Sequence, residues 1–230
     1  DFLVPGDPLT PGWASVAGAR RIPESEALSV PKIMSAPITA RDAREILAAI
    51  GGPEAPEDWR GALDVPYRIG PGPARVRVKL DVPRPVTKII NVTGRIKGSE
   101  EPDRIVLLGN HRDAWIYGGV DPSSGTATML ELARALGRLA KEGWRPRRTI
   151  MLADWDAEEF ALTGSTEWGE EHLDELRDGL VVYLNVDAST SGSSFSASAS
   201  ACLIPFIEEA IADVADPKTG RPILDVWRRG

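Results

Sequence analysis

Residues 104–111, Arg-Ile-Val-Leu-Leu-Gly-Asn-His, carry the reading of the fold. A short apolar run that stops at Gly109, Asn110 and His111 reads as a strand emptying into a polar loop, which lasts to Ser124. A helix is expected from about Gly125 to Glu142, with Met129, Leu132, Ala133, Leu136 and Leu139 on its apolar face. The rhythm then repeats: a buried strand over 148–153, a helix over about 163–176, a strand over 180–186 and a last helix over 203–214. The small, polar stretch 189–200 reads as a loop and a weak strand. Alternating strands and helices define an α/β layer, a mainly parallel mixed sheet flanked by helices.

Upstream the pattern differs. Residues 4–72 are punctuated by proline, and one helix is expected there, from Thr39 to Ile50, with Thr39 as N-cap and Gly51-Gly52 as the stop. Arg75–Val82 alternates strictly (Val76, Val78, Leu80, Val82) and predicts a half-buried strand; Thr87–Ile96 predicts another.

Composition narrows the function. The formal net charge of −7 over 230 residues argues against a nucleic-acid partner. No run of 18 apolar residues predicts a transmembrane helix. One cysteine, Cys202, excludes an internal disulfide framework and a thiolate metal cluster, and two histidines, His111 and His172, exclude a histidine-rich site.

In open α/β sheets, ligands gather beyond the carboxyl ends of the strands. Those ends here carry His111 and Asp113, then Asp154, Asp156, Glu158 and Glu159, then Asp187, with Asp121 in the loop after the first. Each has an ordinary explanation alone: a structural histidine, an N-cap aspartate, glutamates complementing a helix dipole. Together at neighbouring strand ends they repel one another unless a cation sits among them. One histidine with several carboxylates suits zinc, manganese or cobalt.

Residues 109–125, GNHRDAWIYGGVDPSSG, resemble the first metal motif of the co-catalytic zinc exopeptidases, in the branch of glutamate carboxypeptidase II and transferrin receptor. Residues 142–150 (EGWRPRRTI), 155–160 (WDAEEF), 164–168 (GSTEW) and 185–189 (NVDAS) are similar to the same branch, as are 6–13 (GDPLTPGW), Trp59-Arg60-Gly61 and Val65-Pro66-Tyr67. The resemblance implies that His111 and Asp187 hold one zinc, Asp121 bridges two, and Glu159 holds the second. Glu158 would be the general base that deprotonates a metal-bridging water, and Asp113 would orient His111. It also implies a structural calcium held by Glu167 and Glu170 together with the turn Thr10-Pro11-Gly12-Trp13, through Thr10 and Trp13. Residues 1–85 would be the C-terminal part of a protease-associated (apical) domain, and 86–230 the N-terminal part of the di-zinc peptidase domain. The family further implies a small-peptide substrate, an extracellular or periplasmic setting and a homodimeric full-length protein.

The family's second zinc also takes a histidine further downstream. His172 lies in a charged helix and is read as solvent-facing, so the chain is expected to stop before that ligand, a fragment that alone has negligible activity. Where glutamate carboxypeptidase II places an arginine for acidic substrates, this chain has Ser196-Ala197-Ser198, which leaves a general exopeptidase, a carboxypeptidase or an aminopeptidase. The competing class is an inactive receptor of the transferrin receptor type, but such relatives lose the metal ligands that are all present here. A serine esterase would need Gly-x-Ser-x-Gly, which residues 164–167 do not supply. Asn91-Val92-Thr93 is a glycosylation sequon, meaningful only in a eukaryotic secretory pathway.

Overall fold

The computed structural model describes residues 4–228. Its sheet has four strands in the order β1-β3-β2-β4: β1 (Val92–Ile96), β2 (Glu101–His111), β3 (Arg148–Trp155) and β4 (Leu180–Asn185). β2 runs parallel to both β3 and β4, whereas β1 lies antiparallel along the outer side of β3. The sheet is therefore mixed and mainly parallel, and helices α2 (Ser123–Lys141), α3 (Thr163–Glu171) and α4 (Leu173–Gly179) flank it, while α5 (Ile204–Ala212) and α6 (Ile223–Trp227) pack on each other.

Burial follows from position in the sheet. β2 is central, and from Leu107 to His111 every residue is buried, as a strand covered on both faces requires. In β3 every second residue is buried. Ile105, Leu107, Met151, Ala153 and Trp155 form the core, and Trp168 of α3 packs its ring 5.2 Å from that of Trp155. Burying five such side chains contributes on the order of 1.5–3 kcal/mol for each of the large ones.

The chain divides into two compact units. Among the described residues, one comprises 23–88 and the other joins 4–22 to 89–228. The opening segment, grouped by sequence with everything up to residue 85, thus lies with the sheet. Its Gly6 N–H donates to the Ala161 carbonyl at 2.8 Å. In the first unit, α1 (Ala40–Ala48) starts at Thr39, whose hydroxyl oxygen accepts from Asp42 N–H at 3.1 Å. It stops before Gly52, which takes a positive φ of 84°.

Several expectations are corrected. Arg75–Val82 forms no strand: Val76, Val78 and Val82 are exposed, and no described strand lies alongside to take their backbone groups. No strand forms within 189–200 either. The single helix expected over 163–176 breaks at His172, whose ring stacks on Trp168 at 4.4 Å while its Nδ1 meets the Trp168 carbonyl at 2.9 Å. His172 is thereby half-buried and engaged rather than solvent-facing. The apolar stripe of α2 is only partly covered: Met129 is buried, but Leu132 and Leu139 stay exposed.

Candidate metal centre

β2 and β4 run parallel, so His111 at the end of one and Asp187 just past the end of the other arrive at the same edge of the sheet. Asp121 reaches that edge from the loop before α2. His111 Nε2 lies 3.1 Å from Asp121 Oδ1 and 3.1 Å from Asp187 Oδ1. The three potential donor atoms fall within 4.8 Å of one another. Glu158 Oε2 is 3.8 Å from the same Nε2.

The histidine is oriented from its other side. Nδ1 faces the backbone carbonyl of Asp113 at 2.8 Å, and since a carbonyl only accepts, Nδ1 carries the proton. In the neutral form that a metal ligand must take, His111 would point an Nε2 lone pair at two carboxylates. That set of acceptors is repulsive by itself and complementary to a cation, so these residues fit a metal ion. Burial pushes the His111 pKa down, but the charges of Asp187 and Glu158 outweigh it and the net shift is upward. Burial pushes Glu158 up, opposed by His111 and reinforced by Glu159.

Asp113 does more than its carbonyl. Its carboxylate lies 3.6 Å from His111 Nδ1 but accepts closer bonds from the backbone N–H of Glu158 at 2.9 Å and of Glu159 at 3.2 Å. One residue therefore fixes both the histidine ring and the loop bearing the two glutamates. The Glu159 side chain stands outside the His111, Asp121 and Asp187 cluster. The loop is strained: Ala157, Ala161 and Leu162 take φ of 55°, 67° and 57°, a left-handed conformation costing roughly 1–2 kcal/mol for each.

The start of α2 is pressed against β4. A Cβ on Gly125 would collide with the backbone carbonyls of Val186 and Asp187, so only glycine lets the helix come this close. Asn110, fully buried, donates from Nδ2 to the Pro122 carbonyl and to Thr126 Oγ1, each at 2.9 Å. It thus anchors the residue after Asp121. Sequence reasoning gave no role to Asn110, Gly125 or the three strained positions; the glycine in the 109–125 motif was the one available signal.

Around the expected calcium position, the buried Glu167 accepts from Asp7 N–H and from Ser15 N–H, each at 2.6 Å, and from the Thr10 hydroxyl at 3.4 Å. Glu170 Oε2 is buried with no hydrogen-bond partner, and burial, then the charge of Glu167, raises its pKa. The Trp13 ring N–H donates to the Arg20 carbonyl at 2.8 Å.

A strand-end histidine facing two aspartates, with paired glutamates on the adjacent loop, defines an α/β protein of the metallohydrolase kind. The chain belongs to peptidase family M28, whose model matches residues 91–224. It is 46% identical over 228 residues to a probable glutamate carboxypeptidase VP8 of Zea mays, covering 97% of this chain and 32% of that protein. It is 43% identical over 236 residues to the aminopeptidase NAALADL1 of Mus musculus, with the same two coverages. The chain thus spans about a third of the length of these relatives. A solved peptidase M28 precursor from Shewanella amazonensis aligns with 60% of this chain and 33% of its own, at 25% identity and a TM-score of 0.42.

Proposed function

We propose that this chain carries the catalytic edge of a metallo-exopeptidase that hydrolyses small peptides. The observation that carries the reading is the convergence of Asp121, Asp187 and Glu158 on His111 Nε2. In this reading His111, Asp121 and Asp187 hold one zinc, and Asp121 with Glu159 contributes to a second. Zinc bound there supplies Lewis acidity to a water and to the scissile carbonyl.

The chain's own groups do the rest. Asp113 holds the Nδ1–H tautomer of His111 and, through two backbone amides, the positions of Glu158 and Glu159. Glu158 takes the proton of the attacking water at its carboxylate and passes it to the leaving amine. Burial raises its pKa, which makes its carboxylate a stronger proton acceptor than an exposed glutamate. Calcium at Glu167 and Glu170, with oxygens from Thr10 and Trp13, is part of the proposal; the unpartnered buried oxygen of Glu170 supports it. So are an extracytoplasmic setting and a protease-associated identity for the first unit, both resting on the resemblance.

The test is Glu158→Gln in the full-length protein. Zinc content should stay normal, because Glu158 is not a ligand, while kcat on peptide substrates falls by on the order of 10²-fold or more. Near-normal turnover would remove Glu158 from the role of base.

A further inference from the structure

The loop that carries Glu158 and Glu159 leaves β3 at Asp156 and enters α3 at Gly164, and one side chain from outside it holds both ends. Asn91, immediately before β1, accepts at Oδ1 from Asp156 N–H at 2.9 Å and donates from Nδ2 to the Gly164 carbonyl at 2.8 Å. Between those two points the loop closes on itself, Gly164 N–H donating to the Asp156 carbonyl at 3.0 Å. The fit is tight: a Cβ on Gly164 would lie 2.5 Å from Asn91 Oδ1. The neighbouring backbone takes part, as Ile90 N–H donates to Asp156 Oδ2 at 2.7 Å, and Arg112 pairs with the same oxygen at 3.1 Å.

We infer that Asn91 is a positioning residue for the peptidase reaction, acting through the 156–164 loop, and that the amide of its sequon serves this clamp rather than a glycan. The inference rests on the proposed role of Glu158. Three left-handed, non-glycine residues in the loop together cost roughly 3–6 kcal/mol, so the conformation persists only where its surroundings impose it. Asp113 holds the middle from the metal side and Asn91 holds the two ends from the other. An amide is the one side chain of this size that offers a donor and an acceptor side by side, as the two loop ends require.

The experiment compares Asn91→Ala, Asn91→Gln and Thr93→Ala in the full-length protein, produced in a glycosylating and a non-glycosylating host. Asn91→Ala removes both bonds; Asn91→Gln keeps the amide but moves it by one methylene, and serves if the alanine variant does not fold. Both should speed amide hydrogen exchange over residues 156–164 at least about tenfold and lower kcat about 10–100-fold, the scale of small displacements of catalytic groups. KM and zinc content should stay within about twofold of the unmutated protein, a split that general destabilisation does not produce. Thr93→Ala destroys the sequon but not the clamp and should behave as unmutated in either host. The inference is overturned if a folded Asn91 variant keeps its kcat, or if Thr93→Ala reproduces the loss. Should Glu158→Gln retain turnover, the role of Glu158 as base fails instead, and the exchange measurement alone decides whether Asn91 holds the loop.

Discussion

Asp113 gives its carbonyl to one catalytic element and its carboxylate to another, and the two can be separated by mutation. In Asp113→Ala the carbonyl contact to His111 Nδ1 remains available, while the acceptor for the Glu158 and Glu159 amides is lost. The expected result is a folded protein that keeps its zinc at the His111 site and loses about 10–100-fold in kcat, the scale found when groups behind metal ligands are removed. Metal analysis beside steady-state kinetics checks it; loss of zinc in parallel with activity would mean that Asp113 acts on His111 instead. At this scale the meeting of His111 and Asp187 was readable from sequence, because parallel strands deliver their last residues to one edge. An orienting contact from Asp113 to His111 was expected too, but its bonds to the Glu158 and Glu159 amides were not, since bonds to backbone amides leave no pattern in side-chain types. Asn91 was visible only as a sequon, a signal that pointed to different chemistry.

Among the elements, β1 is the edge most in need of support, with four of its five residues exposed. Arg95 of β1 reaches Glu175 of α4 with two bonds, at 2.6 and 3.3 Å. The Arg95 hydrogen bond holds the Glu175 carboxyl below its ordinary value of 4.5, against a smaller effect of burial. A carboxyl depressed in the folded state adds stability above the unfolded pKa, and that stability is lost as pH falls through the folded value. Glu175→Gln should therefore lower stability slightly at pH 7, by less than about 1 kcal/mol for a pair this exposed, and lower Tm accordingly. The difference should shrink below about pH 4.5 and vanish once both states are protonated. Thermal melts of the two proteins from pH 7 to pH 3 would show it, and a gap that widened on acidification would contradict it. Helix and strand types were legible in the sheet region because burial imposes its period there. Arg75–Val82 shows the limit: strict alternation marks a strand only if a neighbour supplies the ladder. The break at His172 was hidden for a related reason, because the stacking of His172 on Trp168 is a local bargain that outcompetes a continuous helix.

For the molecule as a whole, the test of the second cation is an inversion of stability order. Glu170 carries a buried oxygen without a partner, so in the absence of calcium Glu170→Gln should be as stable as the unmutated protein or more so. With calcium at about a hundredfold over its Kd, the unmutated protein should gain roughly 5–10 °C in Tm, and the variant should gain nothing. If both respond alike after thorough chelation, calcium does not bind there. Glu167 is better left intact in this test, because it accepts two backbone N–H groups of the opening segment whether or not an ion is present.

Those two bonds also bear on how the chain is made. Glu167 meets Asp7 across 160 positions and Ser15 across 152. At ribosomal speeds of roughly 5–20 residues per second, Asp7 waits on the order of 8–30 s for its partner to be synthesised. Throughout that interval Asp7 and Ser15 lack their Glu167 partner, and α3 cannot close its buried carboxylate when it appears unless they are still free. Contacts of such long sequence separation slow folding and expose the unfinished chain to wrong pairings. Residues 7–15 thus act as a latch that closes only after α3 is made, and keeping them unengaged until then would favour the native pairing.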